Sequence, residues 1–372
     1  LLGAVIEKVT GKPWHVAVDE RISKPLGLTS IRYGELEATT PKMAAGYSED
    51  GGKVVPSRPI HMSVPHAAGA LIGSVEDLAK WAEALHKSKV VSNAHYAQMI
   101  APTKLSDGKT ADYGFGLKPD KLRKRDVIGH GGGIPGFDTA SVYVPADDVF
   151  VAVFANSDDP VVEPDLVMVK LTAMAVGDPF PEFEKASVPQ SEIEPLLGLY
   201  EYDGGNRRFF SKDGKLFTRL SGGRDMEVFP AGKDRFFYGP ATLSWFEVKR
   251  DPAGKHVMSM HQGGEDKALT SVRSGPIPPD AAVVSVPRSV LERYVGSYKA
   301  SRGIAKVAID DDGGLTIQLG GGKPLRLLAT SETEFRAEAM DGKVVFHADG
   351  TAVSHLVMQQ GSNEIRADRQ PG

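Results

Sequence analysis

The chain contains no cysteine, so disulfides, thiolate metal centres and cysteine nucleophiles are all excluded. Positive charge is not in surplus either. Lys and Arg number 44 against 48 Asp and Glu, a net charge of −4, which gives no reason to expect nucleic acid or an anionic membrane as a partner. The one local basic run, Lys118 to Arg125, is interrupted by Asp120 and followed by Asp126, and it reads as a solvated hairpin. No apolar stretch reaches the roughly 18 residues of a membrane span. The first residues, Leu1-Leu2-Gly3-Ala4-Val5-Ile6-Glu7-Lys8, have neither Met nor a basic region ahead of their apolar run. They therefore read as the middle of a helix rather than a signal peptide. What is present is the balance of a folded protein, 41% hydrophobic and 25% charged residues, over a length that suggests two or three domains.

Residues 1–180 mix helix and strand signals. Leu1 to Val9 reads as a helix closed by Thr10-Gly11. Pro13 opens a second helix through Ile22, with Pro25-Leu26-Gly27 as its stop. Residues 29–65 carry Gly and Pro without periodicity and read as loop with short strands. Ser74 followed by Asp77 reads as an N-cap with an acidic third position, opening a helix that sets Leu78, Trp81, Ala82 and Leu85 on one face. Ser92 caps another short helix, with Tyr96 and Met99 on its inner side. The period then changes to two. Residues 125–130 read as a strand, and Thr139 to Val144 with Val149 to Ala155 as a hairpin across Pro145-Ala146-Asp147-Asp148. Val161 to Ala175 returns to helix. Helices before and after antiparallel strands imply an α+β domain with helices flanking a sheet.

Beyond Pro179, Pro181 and Pro189 the helix signals nearly vanish, and the remainder holds two copies of one unit. Gly198-Leu199-Tyr200 matches Gly296-Ser297-Tyr298, and Asp213-Gly214-Lys215-Leu216 matches Asp312-Gly313-Gly314-Leu315. Arg235-Phe236 matches Glu334-Phe335, and Met260-His261-Gln262-Gly263 matches Met358-Gln359-Gln360-Gly361. The offset is 98 or 99 at every landmark. Alternating segments joined by Asp-Gly turns imply antiparallel strands, and a unit of this size suits a closed barrel of roughly eight strands, since closure removes exposed edges. The expected domains are therefore 1–180, 190–275 and 286–372, with Gly275 to Pro279 linking the two barrels.

Four glycines surround one histidine in Gly129-His130-Gly131-Gly132-Gly133, which runs on through Ile134-Pro135-Gly136-Phe137. Glycine weakens a strand interior, so such a run makes sense where something must approach the backbone closely. An extended substrate could lie along this edge as an added strand. A glycine N–H could point at a developing oxyanion, with His130 beside it as proton carrier or electropositive donor. Spacing alone leaves open a plain glycine-rich turn with an exposed histidine.

Residues 1–180 resemble the serine β-lactamase, DD-peptidase and D-aminopeptidase superfamily. Its third motif, Lys-Thr-Gly or His-x-Gly, lies on an edge strand, and a Gly-Phe turn and a strand ending in Pro follow it. His130-Gly131-Gly132, Gly136-Phe137, Pro145 and the closing Asn156 match in order and spacing. So do the Ile22 to Leu28 segment, the Ala68-Gly69 to Asp77-Leu78 stretch, and Tyr113-Gly114-Phe115-Gly116. The resemblance implies that His130 stands at the third-motif cation, polarising a tyrosine or binding a substrate carboxylate. Gly131 and Gly132 would complete the substrate-binding strand, and Gly133 would give one oxyanion-hole N–H. It also implies a Ser-x-x-Lys nucleophile and a Tyr-x-Asn, and neither occurs in a suitable place. The one Ser-x-x-Lys, Ser106-Asp107-Gly108-Lys109, is a polar turn. The chain is thus expected to be an N-terminally incomplete β-lactamase-like domain plus two antiparallel barrels resembling those of D-aminopeptidases.

Other readings are weaker. His-Gly-Gly-Gly also occurs in α/β-hydrolases, but their Gly-x-Ser-x-Gly elbow is absent here. His61 and His66 lack a third metal ligand, so no metal is expected. Aromatic residues of the first repeat, among them Tyr200, Phe209, Phe236, Tyr238 and Phe246, suit either a barrel core or the pocket of an inert ligand-binding barrel. The expectation is a serine hydrolase without cofactor, D-aminopeptidase-like in preference to esterase or β-lactamase. It would act on a small-molecule or short-peptide substrate and need a preceding segment or separate chain that carries Ser-x-x-Lys and Tyr-x-Asn. No nucleic-acid partner is expected, and a homodimer stays open.

Overall fold

The computed structural model describes residues 1–34, 42–301, 303–350, 352–361 and 363–370; the loop expected over 35–41 lies outside the described residues. Contacts divide the chain into two compact units. One is Leu1–Glu182 with Pro240–Leu243, and the other is Phe183–Gly239 with Ser244–Gly372.

In the first unit, helix Leu2–Thr10 ends at Gly11 as its glycine predicts. The second helix differs from expectation. After Trp14–Val18 it widens into a π-helical turn over Asp19–Ser23 and then resumes through Lys24–Leu26. Pro25 does not stop it, because proline is tolerated at the start of a new helical turn. The stop is Gly27, whose φ of +67° is left-handed. Ser74 caps the Val75–His86 helix, its hydroxyl accepting from the Asp77 N–H. Asp77 is buried yet well satisfied by Lys80, the Ser30 N–H and the Ser30 hydroxyl, which hold its carboxyl down at about 2.

The central sheet is antiparallel, in the order Val149–Ala155, Phe137–Val144, Arg125–Ile134, Lys118–Leu122. Ala140, Val142 and Val144 are buried on one face. There they meet Met168 and Ala173 of the Pro164–Ala175 helix. Tyr143 projects from the opposite face and stacks on His86 at 4.1 Å.

The second unit holds two closed barrels of eight antiparallel strands each. Every strand pairs with the next and the last returns to the first. One runs from Gly198–Tyr202 to Leu269–Gly275, closed by Tyr200 opposite Arg273. The other runs from Gly296–Ala300 to Asn363–Arg369, closed by Tyr298 opposite Arg369. Each has an inward tyrosine whose hydroxyl donates to a carbonyl four residues back, Tyr200 to Leu196 and Tyr298 to Tyr294. In each, an arginine from the last strand caps the carbonyl just before the first strand, Arg273 on Leu197 and Arg369 on Val295.

An eight-stranded barrel is just wide enough for side chains to fill or for one small ligand to enter. In the first barrel Phe209, Phe236, Phe246 and Met258 are wholly buried, with ring centroids 4.9–5.3 Å apart among the three phenylalanines. These aromatics are core, so they do not line a deep ligand pocket.

Candidate active site

The glycine strand is longer than expected. It continues through all the glycines to Ile134, then turns at Pro135-Gly136 into the strand that starts at Phe137. Proline followed by a glycine at φ +85° suits a type II turn, in which the second centre must be left-handed. The Asp158 carboxylate clamps this turn, accepting from the Gly136 N–H and the Ser48 hydroxyl at 2.7 Å each. Those two bonds hold the Asp158 carboxyl below the usual range. Nearby, the Asn156 side-chain amide donates to the Ala45 carbonyl.

The expectation of an edge strand needs one correction. Lys118–Leu122 pairs with Arg125–Gly129, so that half of the strand is interior. From His130 onward, among the described residues, only Phe137–Val144 pairs with it, and the other side is open. Alternation then decides which groups are free. Ile134 and Phe137 flank the turn as a hydrogen-bonded pair, so His130 and Gly132 also bond across to their partners. Gly131 and Gly133 fall at the intervening positions and turn N–H and C=O toward the open edge.

The glycines do not all have the same reason to be glycine. A Cβ at Gly129 would lie 2.6 Å from the Ser141 carbonyl oxygen, and at Gly131 3.0 Å from that of Thr139. The backbone excludes a side chain at Gly129 and crowds one at Gly131. At Gly132 a Cβ would meet the Thr139 hydroxyl at 3.3 Å, and at Gly133 nothing nearer than 3.8 Å. Packing therefore gives no reason for Gly133 to lack a side chain.

His130 lies opposite Ser141 and shares the face of Thr139 and Tyr143, away from the buried Ala140–Val144 face. It is exposed, as are Gly131, Gly132 and Gly133. Its Nδ1 meets the Gly131 carbonyl at 2.5 Å and its Nε2 the Tyr113 hydroxyl at 2.8 Å. A carbonyl only accepts, so Nδ1 carries a proton toward Gly131, while Nε2 and the Tyr113 hydroxyl share the second bond. Tyr113 is the contact of His130 to which the sequence assigned no role. The signal was its place in Tyr113-Gly114-Phe115-Gly116, a segment pinned so tightly that a Cβ on Gly114 would stand 1.9 Å from the Met99 carbonyl oxygen. Beyond the glycines, Ile134 packs with Trp14, Met62 and Ala70 and anchors the strand's far end.

The other candidates lie elsewhere. Ser106 to Lys109 forms an exposed turn in which Lys109 pairs with Asp107. The His61 ring bonds the Ser63 hydroxyl, while the His66 ring lies against Trp14. Among the described residues no group of three or more His, Cys, Asp or Glu is placed to hold a metal.

The beta-lactamase family model matches residues 1–171. The chain is similar to a penicillin-binding protein of Bacillus subtilis strain 168, 22% identical over 72% of this chain and 64% of its own length. A D-aminopeptidase of Gluconobacter oxydans strain 621H is 23% identical over 74% of this chain and 48% of its own. The chain thus spans about half to two thirds of the length of these relatives. A D-stereospecific amidohydrolase structure from Streptomyces shares 31% identity over 42% of this chain and 47% of that one, with a TM-score of 0.38.

Proposed function

We propose that this chain carries the histidine and glycine-strand part of a serine hydrolase that works through an acyl-enzyme on small amides or esters. D-aminopeptidase-like activity is favoured over esterase, DD-peptidase or β-lactamase activity, in keeping with the twin barrels and a relative of that name. The observation that carries the reading is Gly133, whose N–H faces an open edge at a position where packing does not demand glycine.

In this mechanism a serine from outside residues 1–372, activated by its lysine, attacks the substrate carbonyl and gives up its proton. The Gly133 N–H and the nucleophile's own N–H stabilise the oxyanion. Collapse expels the amine or alcohol, which takes a proton, and water then repeats the attack on the ester. His130, held by Tyr113, polarises the proton-carrying tyrosine or binds a substrate carboxylate. The Gly131–Gly133 edge receives the substrate as an added strand.

The test is the His130→Ala variant of a protein that holds both this chain and the Ser-x-x-Lys segment. Hydrolysis of D-alanine p-nitroanilide should fall by about 10²–10⁴ in kcat/KM, the range for a lost proton-transfer group. A change under about threefold, within what a peripheral contact contributes, removes His130 from the mechanism.

A further inference from the structure

The two barrels can be superposed strand by strand through their pairing. Arg207 lies opposite Tyr200 as Ala305 lies opposite Tyr298. Thr218 pairs with Met226 as Ile317 pairs with Leu325. Tyr238 follows Phe237 as Ala337 follows Arg336, at the same end of the corresponding strands. In the second barrel these three positions, Ala305, Ile317 and Ala337, are apolar, buried and part of one core. In the first barrel the same inward positions hold a guanidinium and two hydroxyls.

These groups form a connected cluster. Arg207 Nη1 donates to the Tyr238 hydroxyl at 2.9 Å, and Tyr238 in turn meets the Thr218 hydroxyl at 2.8 Å. Thr218 is 1% exposed. Arg207 and Tyr238 are half-buried. Burial pushes the Tyr238 hydroxyl's pKa up, so it stays a neutral donor. Among the described residues, Tyr238 is the one polar partner of the Arg207 side chain, and no carboxylate pairs with it. The cluster lies at the barrel end opposite the Gln190–Ile193 helix, whose Ile193 joins the core at the other end.

A half-buried guanidinium without a counter-charge is costly where apolar residues would pack, and the second barrel shows that apolar residues do pack there. Arginine's planar fork, here with most of its N–H groups unclaimed, matches the two oxygens of a carboxylate. One cation beside two neutral hydroxyls favours a monoanion over a dianion. We propose that this end of the first barrel is a binding site for a small organic carboxylate, held by Arg207 with Tyr238 and Thr218, and independent of His130.

The test uses the full chain with ring-labelled tyrosine, reading the Tyr238 NMR signals, which the Tyr238→Phe variant assigns. N-acetylglycine, its neutral analogue N-acetylglycinamide and inorganic phosphate are titrated in turn. A saturable Tyr238 shift is expected with N-acetylglycine, a smaller response with phosphate and none with the amide. Arg207→Ala places the second barrel's own residue at this position and should weaken binding at least about tenfold. Arg207→Gln, of similar size, repeats the measurement should the alanine variant fail to fold. His130→Ala should leave the titration unchanged. An equal response to the amide, an equal or larger one to phosphate, or unaltered binding in the Arg207 variants overturns the proposal.

Discussion

A Cβ at Gly133 would sit 3.8 Å from an Asp138 carboxylate oxygen, while one at Gly114 would sit 1.9 Å from a backbone carbonyl. Two glycines in one domain thus answer to different constraints, and substitution separates them. Gly114→Ala forces a side chain into backbone and should cost about 3 kcal/mol, in the upper range for overpacking. Gly133→Ala removes the entropic cost of a strand glycine and should leave stability equal or raise it by about 0.5–1 kcal/mol. Urea unfolding of the two variants checks both. A Gly133→Ala variant as unstable as Gly114→Ala would mean that packing, not access, keeps that position bare. His130 and Tyr113 belong to the same scale. The imidazole is held by one carbonyl, that of Gly131, and one hydroxyl.

At the scale of elements, the helix Val75–His86 meets the sheet at a ring contact. His86 stacks on Tyr143 at 4.1 Å and its Nδ1 meets the Tyr96 hydroxyl at 2.6 Å. Burial lowers the His86 pKa from 6.5 to about 4, so the folded state prefers the neutral ring. The unfolded chain binds the extra proton between those values, and stability must therefore fall as pH drops from 6.5 toward 4. His86→Phe keeps the stacking and removes the titration. Its Tm should decline less steeply than the wild type's over that window, and parallel curves would show that His86 titrates normally in the fold.

Much of this level was legible in the sequence. The Ser74 and Ser92 caps and the 145–148 turn stand where the residues put them, because each rests on a local rule. The π-helical turn over Asp19–Ser23 carried no local signal. Nor did the half-paired state of the glycine strand, which depends on where Lys118–Leu122 ends. The Tyr113–His130 contact joins residues 17 apart across a loop, a closure that spacing does not encode.

At the scale of the molecule, the repeat read from offsets of 98 and 99 is a repeat of structure. Equivalent tyrosines, arginines and carbonyls recur in both barrels. The barrels are also tied to each other within their unit. Asp280 accepts from Arg208 at 2.8 Å and faces Arg336 at 3.7 Å, and the Gly222 N–H donates to Asp341. Because the proposed nucleophile lies outside residues 1–372, this chain alone should not hydrolyse D-alanine p-nitroanilide or p-nitrophenyl acetate. Turnover by the purified chain above the rate of a His130→Ala control would refute that division of labour.

The open glycine edge is where substrate is held to bind, and Gly133→Val tests this most directly. The variant is made in a protein that also carries the Ser-x-x-Lys segment, and kcat/KM and Tm are measured together. A fall of about 10²-fold or more, as for a lost oxyanion donor, with Tm nearly unchanged is expected. Unaltered kinetics in a folded Gly133→Val protein would contradict it, since a branched side chain would then stand where the substrate is supposed to lie.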